Sequence, residues 1–231
     1  MSLPLPLVML PGMDGSGDLF YEFAAIAPSS VAPLVTTLPS IGPYDDLLRE
    51  LAVNLPESGK FAILAESFSG PLAIRLAALF APRVVSLVLC NTFATSPRHH
   101  ALRMIPWRLM FSFPPPAGII RGLLLDSAAP QKLVERVQAA VRNAHPKVMA
   151  ARIRAVLAVN EIGALRKLSC PVLYLRGTND RLIPQRNVDE FARNVAIFRQ
   201  CNINGPHMLL QTQSVRVWEA IEPFLRETGA G

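Results

Sequence analysis

Six short apolar runs punctuate the chain: LPLVML (5–10), PLVTTL (33–38), KFAILA (60–65), VVSLVLC (84–90), PVLYLR (171–176) and AIFRQCNI (196–203). Most are continuous β-branched and aliphatic runs rather than alternating ones, the pattern of strands covered on both faces. Between them the period changes to that of a helix. Leu47, Leu48, Leu51 and Leu55 fall on one face, Leu72, Leu76 and Leu79 on another, and Val215, Trp218, Ile221 and Leu225 repeat the pattern near the end. Alternating strand and helix predicts an α/β fold, a doubly wound, mostly parallel sheet of about six strands with right-handed crossovers. Such sheets bind ligands outside the carboxyl ends of their strands.

The alternation breaks once. From about Pro97 to Arg166 no good strand is legible, but two helices are. One starts at Pro130 and presents Leu133, Val137 and Val141; the next starts near Pro146 and presents Ile153, Val156 and Leu157. Ahead of them lies LMFSFPPPAGII (109–120), apolar and Pro-rich. The expectation is a helical cap over residues 97–166, inserted into a core made of 1–96 and 167–231 and seated over the carboxyl edge of the sheet.

With 231 residues, 51% hydrophobic and 17% charged, the chain can bury a sizeable core, and disorder is not expected. No uninterrupted apolar run reaches the ~20 residues of a membrane span. The opening MSLPLPLVMLPG lacks a basic leader and ends in Pro-Gly, which reads as a first strand rather than a signal peptide. Cys90, Cys170 and Cys201 are scattered and odd in number, as buried thiols in a reducing cytoplasm would be. No His and Cys spacing suits a metal, and no cofactor is expected.

The net charge of +6 is unevenly placed. From Ser67 to Leu125 there is no Asp or Glu, yet Arg75, Arg83, Arg98, Arg103, Arg108 and Arg121 all lie there. Such a face attracts anionic substrates or acidic lipid, or is simply a solvated basic surface. No basic run alternates with aromatics, so nucleic acid is not an expected partner.

The stretch AESFSGP (65–71) holds two serines at the end of a strand-like run. A serine hydroxyl becomes a nucleophile when a base takes its proton. A sharp strand-to-helix turn presents it well but leaves room only for small residues two positions before and after. Centred on Ser67 the flanks are Ala65 and Ser69; centred on Ser69 the later flank is Pro71, a bulky ring. In the Ser67 register Pro71 falls in the first helical turn, where its missing N–H costs little. Ser67 is therefore the candidate, against the plainer reading of SFSG as a helix cap. His99, His100 and His145 fall in the cap segment as surface or capping residues. His207, in INGPHMLLQ, follows the last strand, and Asp180, in RGTNDRLIP, follows the strand before it. Both belong to the edge that carries Ser67, although an aspartate also suits an ordinary turn. Asp126 and Asp189 lie farther from that edge.

The order Ser67, Asp180, His207, each just after a strand, resembles the α/β-hydrolase superfamily. RGTNDRLIP is similar to its acid loop, GPH to its histidine loop, and LPGMDGSGDLF to its oxyanion loop, with Pro11 where a histidine is common. The resemblance covers nearly the whole chain and implies an α/β-hydrolase fold lacking the first two strands. It also implies roles: Ser67 attacks an acyl carbon, His207 takes and returns the proton, and Asp180 orients the imidazole. Backbone N–H groups of Met13 and Phe68 would hold the oxyanion. The roles of Glu66, beside the nucleophile, and of Asp14 stay open.

The expected activity is cleavage of a small-molecule carboxylic ester with an apolar acyl chain. The segment 104–125 is rich in large apolar residues; Trp107, Phe111 and Phe113 are candidates for the acyl pocket, and Arg103, Arg108 and Arg121 would flank an interfacial surface toward acidic lipid. Three alternatives stand beside hydrolysis. One is acyl transfer, since the opening loop and AESFSG also resemble plant plastid acyltransferases that esterify phytol. The others are C–C bond cleavage on the same fold and a non-catalytic small-molecule receptor.

Overall fold

The computed structural model describes residues 3–229. Met1, Ser2, Ala230 and Gly231, counted above with the core, lie outside the described residues. Six strands form one sheet: β1 (Leu5–Leu10), β2 (Val31–Val35), β3 (Phe61–Glu66), β4 (Val84–Cys90), β5 (Val172–Gly177) and β6 (Phe198–Ile203). The spatial order is β2-β1-β3-β4-β5-β6 and every neighbouring pair is parallel. The helices are α1 (Tyr21–Ala25), α2 (Tyr44–Ala52), α3 (Gly70–Leu79), α4 (Trp107–Met110), α5 (Ala117–Leu123), α6 (Gln131–Asn143), α7 (Pro146–Val156), α8 (Ile162–Leu165), α9 (Gln185–Asn194), α10 (Leu209–Thr212) and α11 (Ser214–Gly229).

The continuous apolar runs are explained by two cores, one on each face. Along β3, Phe61, Ile63 and Ala65 enter one cluster, while Ala62 and Leu64 enter the other. Each fully buried Leu or Ile contributes roughly 1.5–3 kcal/mol by leaving water, so a strand buried on both sides has no room for alternation. The edge strand departs from this. The sequence pattern places it at 33–38, but it runs Val31–Val35 with Leu34 and Val35 exposed. Pro33 is tolerated there because an edge leaves one side of the ladder unpaired. Two helix stripes are also corrected. Leu79 and Val215 are exposed, and Val217 and Phe224 join Trp218, Ile221 and Leu225 on the buried face of α11.

Helices α4 to α8 are inserted between β4 and β5. α6 begins beside Pro130 and α7 at Pro146, whose preceding residue His145 accepts the Lys147 N–H. Residues Thr95 and Asn160 form an antiparallel bridge at the neck of the insertion. A third apolar cluster includes Ile120, Leu133, Val134 and Val137, and it takes in Met208 from the loop after β6. The insertion therefore rests on a loop of the sheet. Among the described residues no helix is long and apolar enough to cross a membrane.

The strand order reverses between β2-β1 and β3, so the carboxyl ends of β1 and β3 flank the topological switch point. The turn from β3 into α3 is tight enough to exclude a side chain at Gly70. A Cβ there would lie 1.9 Å from Thr92 Oγ1 and 2.7 Å from Thr92 Cγ2. Thr92 cannot step aside, because its hydroxyl donates to the Ser67 carbonyl and its N–H donates to Tyr174 Oη at 3.0 Å. Gly70→Ala is expected to cost about 1–3 kcal/mol or more as forced overpacking. Urea unfolding should show a lower midpoint with an unchanged slope; an unchanged midpoint would contradict this packing.

Candidate active site

Strand β3 ends at Glu66, and the next residue turns into left-handed backbone: Ser67 has φ 50. Such a conformation is strained for a non-glycine residue and marks functional turns. A single 3₁₀ turn, Ser67–Ser69, leads into α3 with Pro71 in its first turn. The two serines part here. Ser69 is fully buried and its hydroxyl donates to the Pro11 carbonyl, whereas Ser67 lines a cavity.

Two further loops reach Ser67 from the same edge. Asp180, just past β5, accepts the Leu182 and Ile183 N–H groups through Oδ1 at 2.7 and 3.2 Å. His207, just past β6, has Nδ1 3.1 Å from each Asp180 oxygen and Nε2 2.8 Å from Ser67 Oγ. A proton on Nδ1, facing the carboxylate, leaves Nε2 free to accept from the serine. Burial pushes the Asp180 carboxyl up, but the imidazole and the two N–H groups outweigh it and hold Asp180 below its ordinary range. The three predicted residues are thus brought into one hydrogen-bonded line.

Asn91 and Arg152 organise these loops, and sequence reasoning missed both. Asn91, with φ 43, directly follows β4. Its amide donates to the carbonyls of Pro206 and His207 at 3.1 and 2.7 Å, and its Oδ1 accepts the Gly177 N–H at 2.8 Å. One side chain therefore ties the acid strand to the histidine loop. Arg152 is 1% exposed on α7. It donates to the carbonyls of Met13, Asp14, Pro39 and Ile41 at 2.7–3.1 Å. Four carbonyl acceptors compensate a charge that burial would otherwise penalise. The available signal is its position: Met149, Arg152 and Val156 share one stripe, and an arginine inside an apolar stripe needs a buried partner.

Arg152 fixes the loop after β1, which faces Ser67. Gly12, Met13, Asp14 and Phe68 line the same cavity as the serine. The Phe68 N–H sits in the first turn of a helical segment, where such groups lack intrahelical acceptors. Tyr44 donates to the Phe68 carbonyl at 2.9 Å and stacks on its ring, and the Arg152 guanidinium lies 5.7 Å from the ring centre on the same aromatic. Asp14 accepts the Ser16 N–H and hydroxyl at 3.0 and 2.6 Å.

The cavity holds about 410 Å³ and is walled by Leu19, Trp107, Leu124, Val141, Ile153 and Leu157, with Ser67 and His207 in its lining. Of the three aromatics expected there, Trp107 alone belongs to the wall. Phe111 stacks on Trp107 from outside it, and Phe113 is 66% exposed. Among the described residues no group of three or more His, Cys, Asp or Glu could hold a metal ion.

Glu66 also borders the cavity, 4% exposed. Its Oε2 accepts the Gln211 amide at 3.1 Å, while Glu66 Oε1 and Gln211 Oε1 are both buried without a partner. A proton on Glu66 relieves the buried charge and supplies a donor to a site that has too many acceptors. Burial drives its pKa up to about 7, against the opposing hydrogen bond from Gln211 and the pull of His207.

The alpha/beta hydrolase family profile matches residues 7–220. Among solved structures, an esterase from Thermogutta terrifontis is 20% identical, with a TM-score of 0.81 over 99% of this chain and 92% of that one. An enol-lactonase from Burkholderia xenovorans LB400 is 16% identical, with a TM-score of 0.78 over 97% and 92%. A membrane phospholipase A, a bacterial virulence factor, is 16% identical, with a TM-score of 0.80 over 100% and 81%. At these identities the likeness is one of fold. No curated protein sequence matches the chain.

The raised Glu66 pKa has a consequence for stability. Between its ordinary value of 4.5 and about 7 the folded state binds a proton that the unfolded state releases. The associated stability is fully present below the lower value and is lost as pH rises through the upper one. Glu66→Gln removes that loss, so its stability relative to wild type should rise by up to about 3 kcal/mol between about pH 4 and about pH 8. Urea midpoints of both proteins across this range provide the measurement; a pH-independent difference would mean that Glu66 ionises normally.

Proposed function

This chain belongs to the alpha/beta hydrolase family, and from that premise we propose that it hydrolyses a carboxylic ester with an apolar acyl chain through an acyl-enzyme on Ser67. The observation that carries the reading is the line from Ser67 Oγ to His207 Nε2 at 2.8 Å and from His207 Nδ1 to Asp180 at 3.1 Å, opening on an apolar cavity. The strained turn at Ser67 holds its hydroxyl toward the acyl carbon, and His207 accepts the proton as the new C–O bond forms. The Met13 and Phe68 N–H groups would receive the developing oxyanion, each such donor being worth about 2.7–4 kcal/mol. The tetrahedral species collapses, the alcohol leaves with the proton from His207, and Asp180 offsets the imidazolium charge meanwhile. A water, deprotonated by His207, then frees the acid and restores Ser67.

The cavity lining argues for the acyl class: its polar and charged side chains are Ser67, His207, Glu66, Asp14 and Arg98, and the rest are apolar or glycine. Acyl transfer uses the same residues and differs only in whether water or an alcohol resolves the acyl-enzyme; product analysis with added alcohol separates the two. The free thiols Cys90, Cys170 and Cys201 accord with the cytoplasm as the compartment we infer.

A fluorophosphonate probe should label wild type and Ser69→Ala but not Ser67→Ala. Hydrolysis of p-nitrophenyl esters should fall on the order of 10⁴-fold or more in Ser67→Ala and about 10⁴-fold in Asp180→Asn. Labelling that survives in Ser67→Ala would remove Ser67 from the role. Ala140 also lines the cavity, so Ala140→Phe shortens the space for the acyl chain. Its kcat/KM for long-chain esters should drop tenfold or more while acetate ester turnover is kept, since each misplaced methylene is worth roughly 10–200-fold. An unchanged chain-length profile would place the acyl group elsewhere.

A further inference from the structure

Twenty consecutive positions of the insertion carry six large apolar side chains that nothing covers. Met104, Leu109, Met110, Phe113, Ile119 and Leu123 are between 43% and 88% exposed. Exposed apolar side chains at this density along the chain cost solubility and mark an interaction surface. It also runs into the cavity. Leu102, Trp107 and Leu123 line the wall, Leu109 and Met110 share α4 with Trp107, and Ile119 lies one turn from Leu123 on the same face of α5.

The charges around the patch decide what it meets. Arg103 and Arg108 lie within it, exposed, and among the described residues neither makes an ion pair. Arg121, expected above to flank the surface, is instead spent within the insertion on the carbonyls of Ser127 and Ala129 and on Gln131. No acidic residue occurs from Ser67 to Leu125. A second copy is a poor occupant: an isologous contact would set Arg103 and Arg108 against their own counterparts. An anionic lipid surface satisfies both features, taking apolar side chains below the headgroups and arginines among the phosphates.

We propose that residues 104–123 form a docking surface for an anionic phospholipid bilayer, with the mouth of the Ser67 cavity held against the lipid. Docking stands on the surface alone; only the delivery of a membrane-borne ester to Ser67 rests on the ester reading above. The full chain would be sedimented with vesicles of phosphatidylcholine alone and of equal parts phosphatidylcholine and phosphatidylglycerol. Wild type should bind the mixed vesicles and lose binding in high salt. Arg103→Gln with Arg108→Gln should weaken binding on the order of tenfold or more, and Met110→Ser with Phe113→Ser should abolish it. None of these four residues lines the cavity, so hydrolysis of a soluble p-nitrophenyl ester should stay at the wild-type rate and certify the fold.

Three results would overturn the proposal: no vesicle binding by wild type, equal binding by the Met110/Phe113 variant, or a dimer in light scattering that this variant dissociates. Vesicle binding by a chain that cleaves no ester would sustain docking while refuting the ester reading.

Discussion

The positive φ at Ser67 is the constraint around which the rest of the structure is arranged. A serine held in left-handed backbone is stable only if its surroundings leave no alternative. Thr92 secures the Ser67 carbonyl, Gly70 gives up its side chain to let Thr92 approach, and Tyr44 secures the following carbonyl of Phe68. The two sheet cores, closed on both faces of β3, supply the rigidity that keeps this turn from relaxing.

Around that turn, loops from four strand ends converge, each tied by a buried polar side chain. Asn91 joins the ends of β4 and β5 to the histidine loop, and Arg152 reaches across from the insertion to the loop after β1. The Met208 N–H donates to the Leu124 carbonyl at 2.9 Å, so the insertion also contacts the residue next to His207. The insertion is therefore part of the frame that orients the site as well as the wall of its cavity. The bonds of Asn91 and Arg152 hold these loops in place, which suits chemistry that depends on placement.

Much of this was legible in the chain. The fold followed from the alternation of apolar runs and helical stripes, because a doubly covered parallel sheet demands that pattern. Ser67, Asp180 and His207 each lie just after a strand, so the carboxyl-edge rule alone puts them on one rim. The failures share a cause. Leu79 and Val215 fit their local periods but end up exposed, since period alone does not say how far a neighbouring element extends. Asn91 and Arg152 are not legible in the chain because their partners are backbone groups, which carry no mark in the sequence.

The sequence by itself determined the class of fold, the place of the tight turn at Ser67 and that Ser67, Asp180 and His207 fall on one rim of the sheet. It could do so because those features follow from local size, period and order along the chain. The tertiary structure decided the partners of Glu66, the clamps at Asn91 and Arg152, the walls of the cavity and which apolar side chains of the insertion stay exposed. These depend on residues distant in sequence being brought within a few ångströms, and no local pattern encodes that distance.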